Sequence, residues 1–593
     1  MKLQTIQYPS ESICNEESLY IQREGEWISF GGYFNLFYLE KHHRYCNIDK
    51  LTLELKVRGI SSIKIMHDRN VVSEVNVESF DTGYNRIRRA LGKGRFSGED
   101  KNTDVLDVSI ELPYDKYDKG VFYFKALISD PEKWSIKGAY YGTAEKYNPV
   151  EVAVNICTYR REMYVLRNMK NLISYAKEHG EEAFDKLHVF IVDNGRTLLE
   201  NRELERIISD NRFIEVIPNA NTGGAGGFKR GMEEAIKRRE ELSLSHLLMM
   251  DDDAVFDPDL FVRLYGFLSV LKDEFKEITV GGSLMREDYQ YIQHAAGEWF
   301  SNYKVINEHP LVDLRTFDAC TSEFMTGTEK EHQLYGAWWC CCYSMNAITS
   351  ENLPLPIFVH HDDIQFGMGQ TERGIVFLNG IGVWHQGFET SFPGVKQYYN
   401  MRNTLITMQM YEPEKLRNSM LKWTVRRYIG MLINYRYADC EFVYRGFMDF
   451  LKGKEWLLNS DPEAIHKELI LEYKRICPMR SLTPEEKALV DQSKIDLSPD
   501  NLREYYNSDR FEGTTCKKLT FNGWFLPGKR TLKVVTPLDT PWATYRQKQI
   551  LLYEPATERG VVVKRDNKEF SKGMKRLMEM RKAASEWKKH NKT

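Results

Sequence analysis

His246-Leu-Leu-Met-Met-Asp-Asp-Asp253 is a short apolar run that breaks into three consecutive carboxylates. Buried strands of parallel sheets read as continuous apolar runs, and ligands of such sheets bind beyond the carboxyl ends of the strands. These aspartates are therefore expected at the mouth of a crevice. Three like charges crowded there need a cation, and hard divalent ions take carboxylate oxygens and, for Mg²⁺, bridge them to substrate phosphates. A diphosphate-handling metal site is one reading, and an acidic loop solvated at the surface is the other.

Outward from this run, strands alternate with helical stretches across residues 149–400. Glu151-Val-Ala-Val-Asn-Ile-Cys157 precedes a helical stretch from Leu166 to Ala176, and residues 187–192 and 213–217 read as further strands. That alternation predicts a doubly wound α/β domain with a largely parallel sheet. Residues 1–148 carry short strand-like runs, such as Lys50-Leu-Thr-Leu-Glu-Leu-Lys-Val57 and Val121-Phe-Tyr-Phe-Lys-Ala126, closely spaced with Gly, Asn and Asp turns. This predicts a β-sandwich or barrel. Residues 401–593 turn helical and aromatic.

At 593 residues the chain is too long for one core and implies roughly three to four domains. Apolar content of 42% fits a globular protein, and 82 Lys and Arg against 85 Asp and Glu argue neither for nor against nucleic acid. Ten cysteines without CxxC spacing, a start lacking a signal-peptide core, and no apolar run of membrane-spanning length predict a reduced, cytoplasmic chain. Cys340, Cys341 and Cys342 would alternate faces in a strand, so they read as small buried hydrophobes rather than ligands of one ion.

Other motifs fall at expected strand ends: Cys157-Thr-Tyr-Arg-Arg161, Asp193-Asn-Gly195 and Asn219-Ala-Asn-Thr222. Gly223-Gly-Ala-Gly-Gly-Phe228 leads into a helix expected to start near Lys229. Such glycines let a backbone approach a ligand, although neither GxxxxGK[ST] nor GxGxxG is present, and a flexible loop is equally compatible. In His360-His-Asp-Asp363 a carboxylate either caps a helix or serves as a general base. His385, ending Val383-Trp-His385, completes a metal shell or is structural; Gly336-Ala-Trp-Trp339 packs in a core or offers a platform to a sugar.

Taken together in order and spacing, these motifs, with Tyr33-Phe-Asn35, His294-Ala-Ala-Gly-Glu298 and Tyr398-Tyr-Asn-Met-Arg-Asn403, resemble the inverting GT-A glycosyltransferases of family two. Within that family the similarity is to the polymerising galactofuranosyltransferases of cell-wall galactan synthesis, over about residues 25–405. The resemblance implies a nucleotide-sugar domain flanked by the N-terminal sandwich and a mainly helical C-terminal region. It implies Mn²⁺ or Mg²⁺ held by Asp251, Asp253 and His385, and a UDP-sugar donor, most readily UDP-galactofuranose, near Arg161, Asp193, Gly227, Asp252 and Asp362. Asp363 would be the catalytic base, and Glu298, Trp338 and Trp339 would line the site of a lipid-linked glycan acceptor. Two departures, Arg160 for a common Asn and Gln365 for a common acidic residue, bear on the donor sugar, so a UDP-hexopyranose or dTDP-rhamnose stays open. So do a glycan-binding or assembly protein with a structural ion, and a nucleotidyl- or phosphotransferase.

Residues 564–593 hold eleven Lys or Arg against four Asp or Glu, with Met574, Leu577, Met578 and Met580 among the cations. A helix there either lies on an anionic membrane surface or is a solvated, frayed terminus; the resemblance, whose glycans grow on a lipid carrier at the cytoplasmic face, implies the first and a protein peripheral at the inner face of the cell membrane. No nucleic-acid motif is present. Homo-oligomerisation stays open.

Overall fold

The structure, a computed structural model, describes residues 1–80, 105–308, 310–328, 333–507 and 515–590. Its centre is a ten-stranded sheet. Val152–Thr158, Leu187–Asp193 and His246–Asp251 are almost wholly buried, as continuous apolar runs require. Ile214–Pro218, Leu187–Asp193, Val152–Thr158 and His246–Asp251 lie side by side in that order, all parallel. The helices Glu162–His179, Arg202–Asp210 and Gly223–Lys237 make the crossovers. The chain reverses its winding between Val152–Thr158 and His246–Asp251, and a crevice opens at that switch point.

Beyond His246–Asp251 the expectation of a largely parallel sheet fails. Cys340–Ser344 is antiparallel to both His246–Asp251 and Thr279–Arg286, and Ile292–Ala295 is antiparallel to Thr279–Arg286. Only Ile375–His385 restores a parallel pair. Antiparallel neighbours need no helical crossover, and residues 279–313 run from strand to strand without one. The three cysteines are free and buried, as read from their strand.

The N-terminal residues form two antiparallel sheets rather than a barrel. One has the order Lys2–Thr5, Ser135–Gly142, Thr52–Arg58, Leu106–Glu111; the other is built on Trp27–Ser29, Val121–Ile128 and Ile60–His67. The change of sequence pattern at residue 148 does not divide the core. A single hydrophobic cluster takes in Leu3, Phe34, Phe124, Val154, Leu268 and Val383. At this junction the buried Arg263 pairs with Asp259 at 2.6 Å and donates to the carbonyls of Phe34, Thr5 and Asn379. Asn379 in turn donates to the carbonyls of Tyr33 and Leu36. Tyr33-Phe-Asn35 is thus a joint between the sandwich and the α/β sheet.

The C-terminal region is helical, as expected, in Lys396–Tyr411, Pro413–Leu432, Tyr437–Leu451 and Pro462–Ile476. It also contains a four-stranded sheet that was not anticipated. Gln549–Glu554 and Arg559–Lys564 form its central hairpin, flanked by Lys533–Val535 and Arg480–Ser481. Ile550-Leu-Leu-Tyr553 and Val561-Val-Val563 are apolar runs of strand length that the helical reading passed over.

The basic tail forms the helix Asn567–His590, but its apolar stripe does not face outward. Met580 is fully buried, Met574, Leu577 and Trp587 pack on the helices around Met420, Leu432 and Phe447, and Met578 alone of the four is exposed. The stripe read as membrane-facing is therefore mostly a core contact, and Met578 and most of the cations remain outside. Among the described residues no helix is long and apolar enough to cross a membrane.

Candidate active site

A cavity of about 1130 Å³ lies over the switch point, bounded by the α/β sheet on one side and by the C-terminal helices and residues 535–540 on the other. At its sheet end stand the strand-end carboxylates. Register places Asp251 opposite Cys157 and Asp193 opposite Thr158, so the three parallel strands end level. Helix Glu162–His179 holds the turn that follows: Asn168 donates to the carbonyls of Asp252 and Ala254, and Arg167 to those of Asp253 and Ala254.

Arg161 reaches into this turn and pairs with Asp252 at 2.8 Å and Asp253 at 2.5 Å. His385, at the end of Ile375–His385, sits 3.5 Å from Asp253. Burial would raise the Asp253 carboxyl, yet His385 and Arg161 hold it below its usual range. For Asp251 the help of His385 is outweighed: burial, then Asp253 and Asp252, push it well up. That imbalance is what a divalent ion would relieve, and two carboxylates with an imidazole suit Mn²⁺ or Mg²⁺. Among the described residues no three His, Cys, Asp or Glu side chains close around an ion by themselves. Such a set fits an ion that takes its remaining ligands from water and substrate phosphates.

The second group of carboxylates belongs to a strained loop. Phe358, His360 and His361 all have left-handed backbone (φ 72°, 65° and 70°), immediately before helix Asp362–Met368. Non-glycine residues in this region cost about 1–3 kcal/mol each and persist only where surroundings enforce them. Here Asn403 donates to the carbonyls of Val359 and His360, each at 2.8 Å, and Arg402 donates to that of Ile357 at 2.7 Å. Both ring nitrogens of His361 lie 3.0 Å from the hydroxyls of Thr407 and Thr404. The YYNMRN motif is the clamp of this loop.

The clamp presents Asp362 and Asp363 to the cavity, with Glu298 beside them. Burial raises the Asp363 carboxyl to about 6, and burial together with Asp363 raises Asp362 to about 7. Glu298 is lifted to about 8 by burial and by Asp363, although Tyr335 donates to it at 3.2 Å. Near pH 7 Asp363 is ionised and can accept a proton, whereas Glu298 is neutral and can donate one.

Other expected site residues lie differently. The helix expected to start near Lys229 starts at Gly223, so the glycine run is helical. A Cβ on Gly227 would lie 2.0 Å from Cys157 Sγ, and one on Gly223 would lie 2.1 Å from the Phe358 carbonyl oxygen. These glycines bring the helix against the first strand and the clamped loop, and Gly224 rather than Gly227 lines the cavity. Asp193 is buried and accepts from the amides of Gly195 and Leu198, each at 2.9 Å, which shapes its loop. Asp252 is likewise buried beneath Arg161.

Trp338 is 3% exposed and packs on Phe228 and Phe366, with only an edge on the cavity. Trp339 is half-buried and donates to the Gly282 carbonyl. Sequence reasoning missed Lys396, Asn400, Arg427 and Arg436, which line the far wall. The signal of the three cations was confined to helical spacing of charged residues, which does not distinguish a cavity wall from a solvated face, and Asn400 stood within YYNMRN with no role assigned to it.

Residues 149–397 match the family model described as glycosyltransferase like family 2. Galactofuranosyltransferase GlfT2 of Mycobacterium tuberculosis is 21% identical over 466 residues, covering 76% of this chain and 68% of that protein. GlfT2 of Mycolicibacterium smegmatis is 23% identical over 464 residues, covering 74% of this chain and 66% of its own length. The chain thus spans about two thirds of either relative. A solved structure of mannosyltransferase PcManGT from Pyrobaculum calidifontis, in complex with GDP-Man and Mn²⁺, aligns over 55% of this chain and 83% of its own at 10% identity, with a TM-score of 0.28.

Proposed function

We propose, from the match of residues 149–397 to the family model described as glycosyltransferase like family 2, that the protein transfers galactofuranose from UDP-galactofuranose to a hydroxyl of a growing glycan acceptor, with inversion. The observation that carries this reading is one cavity faced both by the strand-end group Arg161, Asp251 and His385 and by the clamped carboxyls Asp362 and Asp363. A donor diphosphate belongs at the first group and an attacking hydroxyl at the second.

Arg161 is placed to neutralise the diphosphate, exchanging part of its pairing with Asp252 and Asp253 for phosphate oxygens. A divalent ion held there by Asp251, Asp253 and His385 would supply Lewis-acid stabilisation of the leaving nucleoside diphosphate. Asp363 takes the proton from the acceptor hydroxyl as its oxygen attacks the anomeric carbon, opposite the leaving group. Glu298, neutral near pH 7, donates to an acceptor oxygen, and Asp362 accepts from a sugar hydroxyl. The edges of Trp338 and Trp339 give the acceptor an apolar floor. The galactofuranose assignment is supported by the GlfT2 similarity.

The test is a donor panel of UDP-galactofuranose, UDP-hexopyranoses and dTDP-rhamnose, offered with a synthetic lipid-like acceptor and followed by determination of the product linkage. Extension from UDP-galactofuranose with inverted anomeric configuration is the expected outcome. Extension from another donor alone would reassign the sugar, and no consumption of any donor would leave a glycan-binding protein.

A further inference from the structure

The cavity wall that faces the sheet is built by two helices and carries cations that the transfer chemistry does not use. Lys396, Gln397 and Asn400 line it from the first turns of Lys396–Tyr411. Arg427 lines it from Pro413–Leu432, and Asn434 follows just beyond that helix. Arg427 donates to Gln397 Oε1 at 3.3 Å, which ties the two helices together. Its guanidinium also lies 5.7 Å from the Trp423 ring.

Among the described residues, neither Lys396 nor Arg427 has a carboxylate within ion-pairing distance. The carboxylate of this wall, Asp439, is buried and already engaged by Arg436. Asp539, on the facing loop, accepts from the Thr536 amide and hydroxyl. Two cations facing an enclosed space beside amide donors, with the local carboxylates engaged elsewhere, make a surface suited to an oxyanion.

The donor diphosphate has its own place near Arg161. Lys396 lies within electrostatic reach of Arg161, Asp253 and Glu554, whereas the charge that acts on Arg427 is Asp439. Arg427 lies beside Trp423, which stacks on Tyr303 in the turn of the hairpin that carries Glu298, so it is on the acceptor side, and Lys396 stands between the two. We propose that Arg427 and Lys396, with Gln397 and Asn434, form a subsite for an anionic group, a phosphoryl group above all, carried by the acceptor. This deepens the transferase reading and rests on it. The subsite makes the enzyme select acceptors by a charge remote from the hydroxyl that reacts.

Two synthetic acceptors with the same terminal sugars test this, one ending in a phosphate monoester and the other in a neutral aglycone. The wild-type enzyme is expected to favour the phosphate-bearing acceptor in kcat/KM, and the preference should weaken with added salt. Arg427→Gln should reduce that preference on the order of tenfold through the acceptor KM, as expected for loss of a charge-assisted hydrogen bond. Arg427→Lys should keep part of it, and Lys422→Gln, an exposed charge on the same helix, should leave it intact. Calorimetric titration of the phosphate-bearing acceptor without donor gives a second readout, independent of turnover. Weakened binding in Arg427→Gln, with no transfer by the wild-type protein, would retain the subsite and remove the transferase reading. Equal loss for both acceptors would make Arg427 a structural residue, and a raised donor KM would assign it to the donor diphosphate. Either outcome, or a wild-type enzyme indifferent to the phosphate, overturns the proposal.

Discussion

At the scale of single residues, the site turns on carboxyls whose surroundings set their protonation. Asp363 must be ionised to act as base, so transfer should rise with pH through about 6. Glu298 must stay protonated to donate, so transfer should fall again as pH rises through about 8. The expected profile of kcat/KM is a bell between these values. Glu298→Gln, which donates at every pH, should extend the plateau to higher pH; an unchanged alkaline limb would take Glu298 out of the account. Asp363→Asn keeps the shape of the side chain but cannot accept the proton. It should lower transfer by at least ~10²-fold while calorimetric UDP binding survives. At the other pole, Asp253→Ala should cost at least ~10²-fold, and chelation should abolish transfer until Mn²⁺ or Mg²⁺ is returned. Full activity in excess chelator would refute the metal reading.

At the scale of elements, the strained loop and its clamp form a testable unit. Asn403→Ala frees the carbonyls of Val359 and His360. Each lost bond removes about 0.5–1.5 kcal/mol, and the left-handed residues lose their restraint. The expected result is a fall in kcat of at least about tenfold with donor KM little changed. Wild-type kcat in Asn403→Ala would show that the clamp does not position Asp363.

This is also the scale at which the sequence was most and least legible. Apolar runs ending in polar motifs located the four parallel strands to within a residue or two, because burial on both faces of a sheet leaves little choice of composition. The glycine run was left outside the helix expected to start near Lys229 because glycine's local preference opposes helix. Its reason is the approach of Gly227 to Cys157 and of Gly223 to Phe358, contacts invisible without the tertiary structure. Left-handed φ at His360 and His361 likewise has no signature in residue type. The far wall of the cavity was illegible because its charges come from residues up to about 270 positions from Arg161 and become neighbours only through folding.

At the scale of the whole molecule, interfaces that resemble domain boundaries in sequence are continuous cores. Arg263→Ala would leave Asp259 buried and unpaired, a loss of about 3–5 kcal/mol. Because the pair joins the sandwich to the α/β sheet, thermal unfolding should shift both together in one lowered transition; separate melting of residues 1–142 would contradict this. Truncation after Val563 should likewise give an aggregating protein. It strips the helix that covers Leu432, against which Gly573 packs so closely that a Cβ would lie 2.5 Å from its Cδ1. A soluble, active truncated protein would return the tail to the role of a peripheral appendage.

The undivided core also governs how the chain is made. Lys2–Thr5 packs against helix Asp259–Ser269, and Tyr33 and Leu36 wait for Asn379. During synthesis at about 5–20 residues per second, the N-terminal sheets emerge on the order of tens of seconds before their partners leave the ribosome. Their inward faces, rich in Phe, Tyr and Leu, spend that interval without cover. Production of soluble enzyme should therefore depend on holding chaperones and on translation fast enough to shorten that interval, and a foreign host that lacks either will fill inclusion bodies with a protein whose finished form is sound.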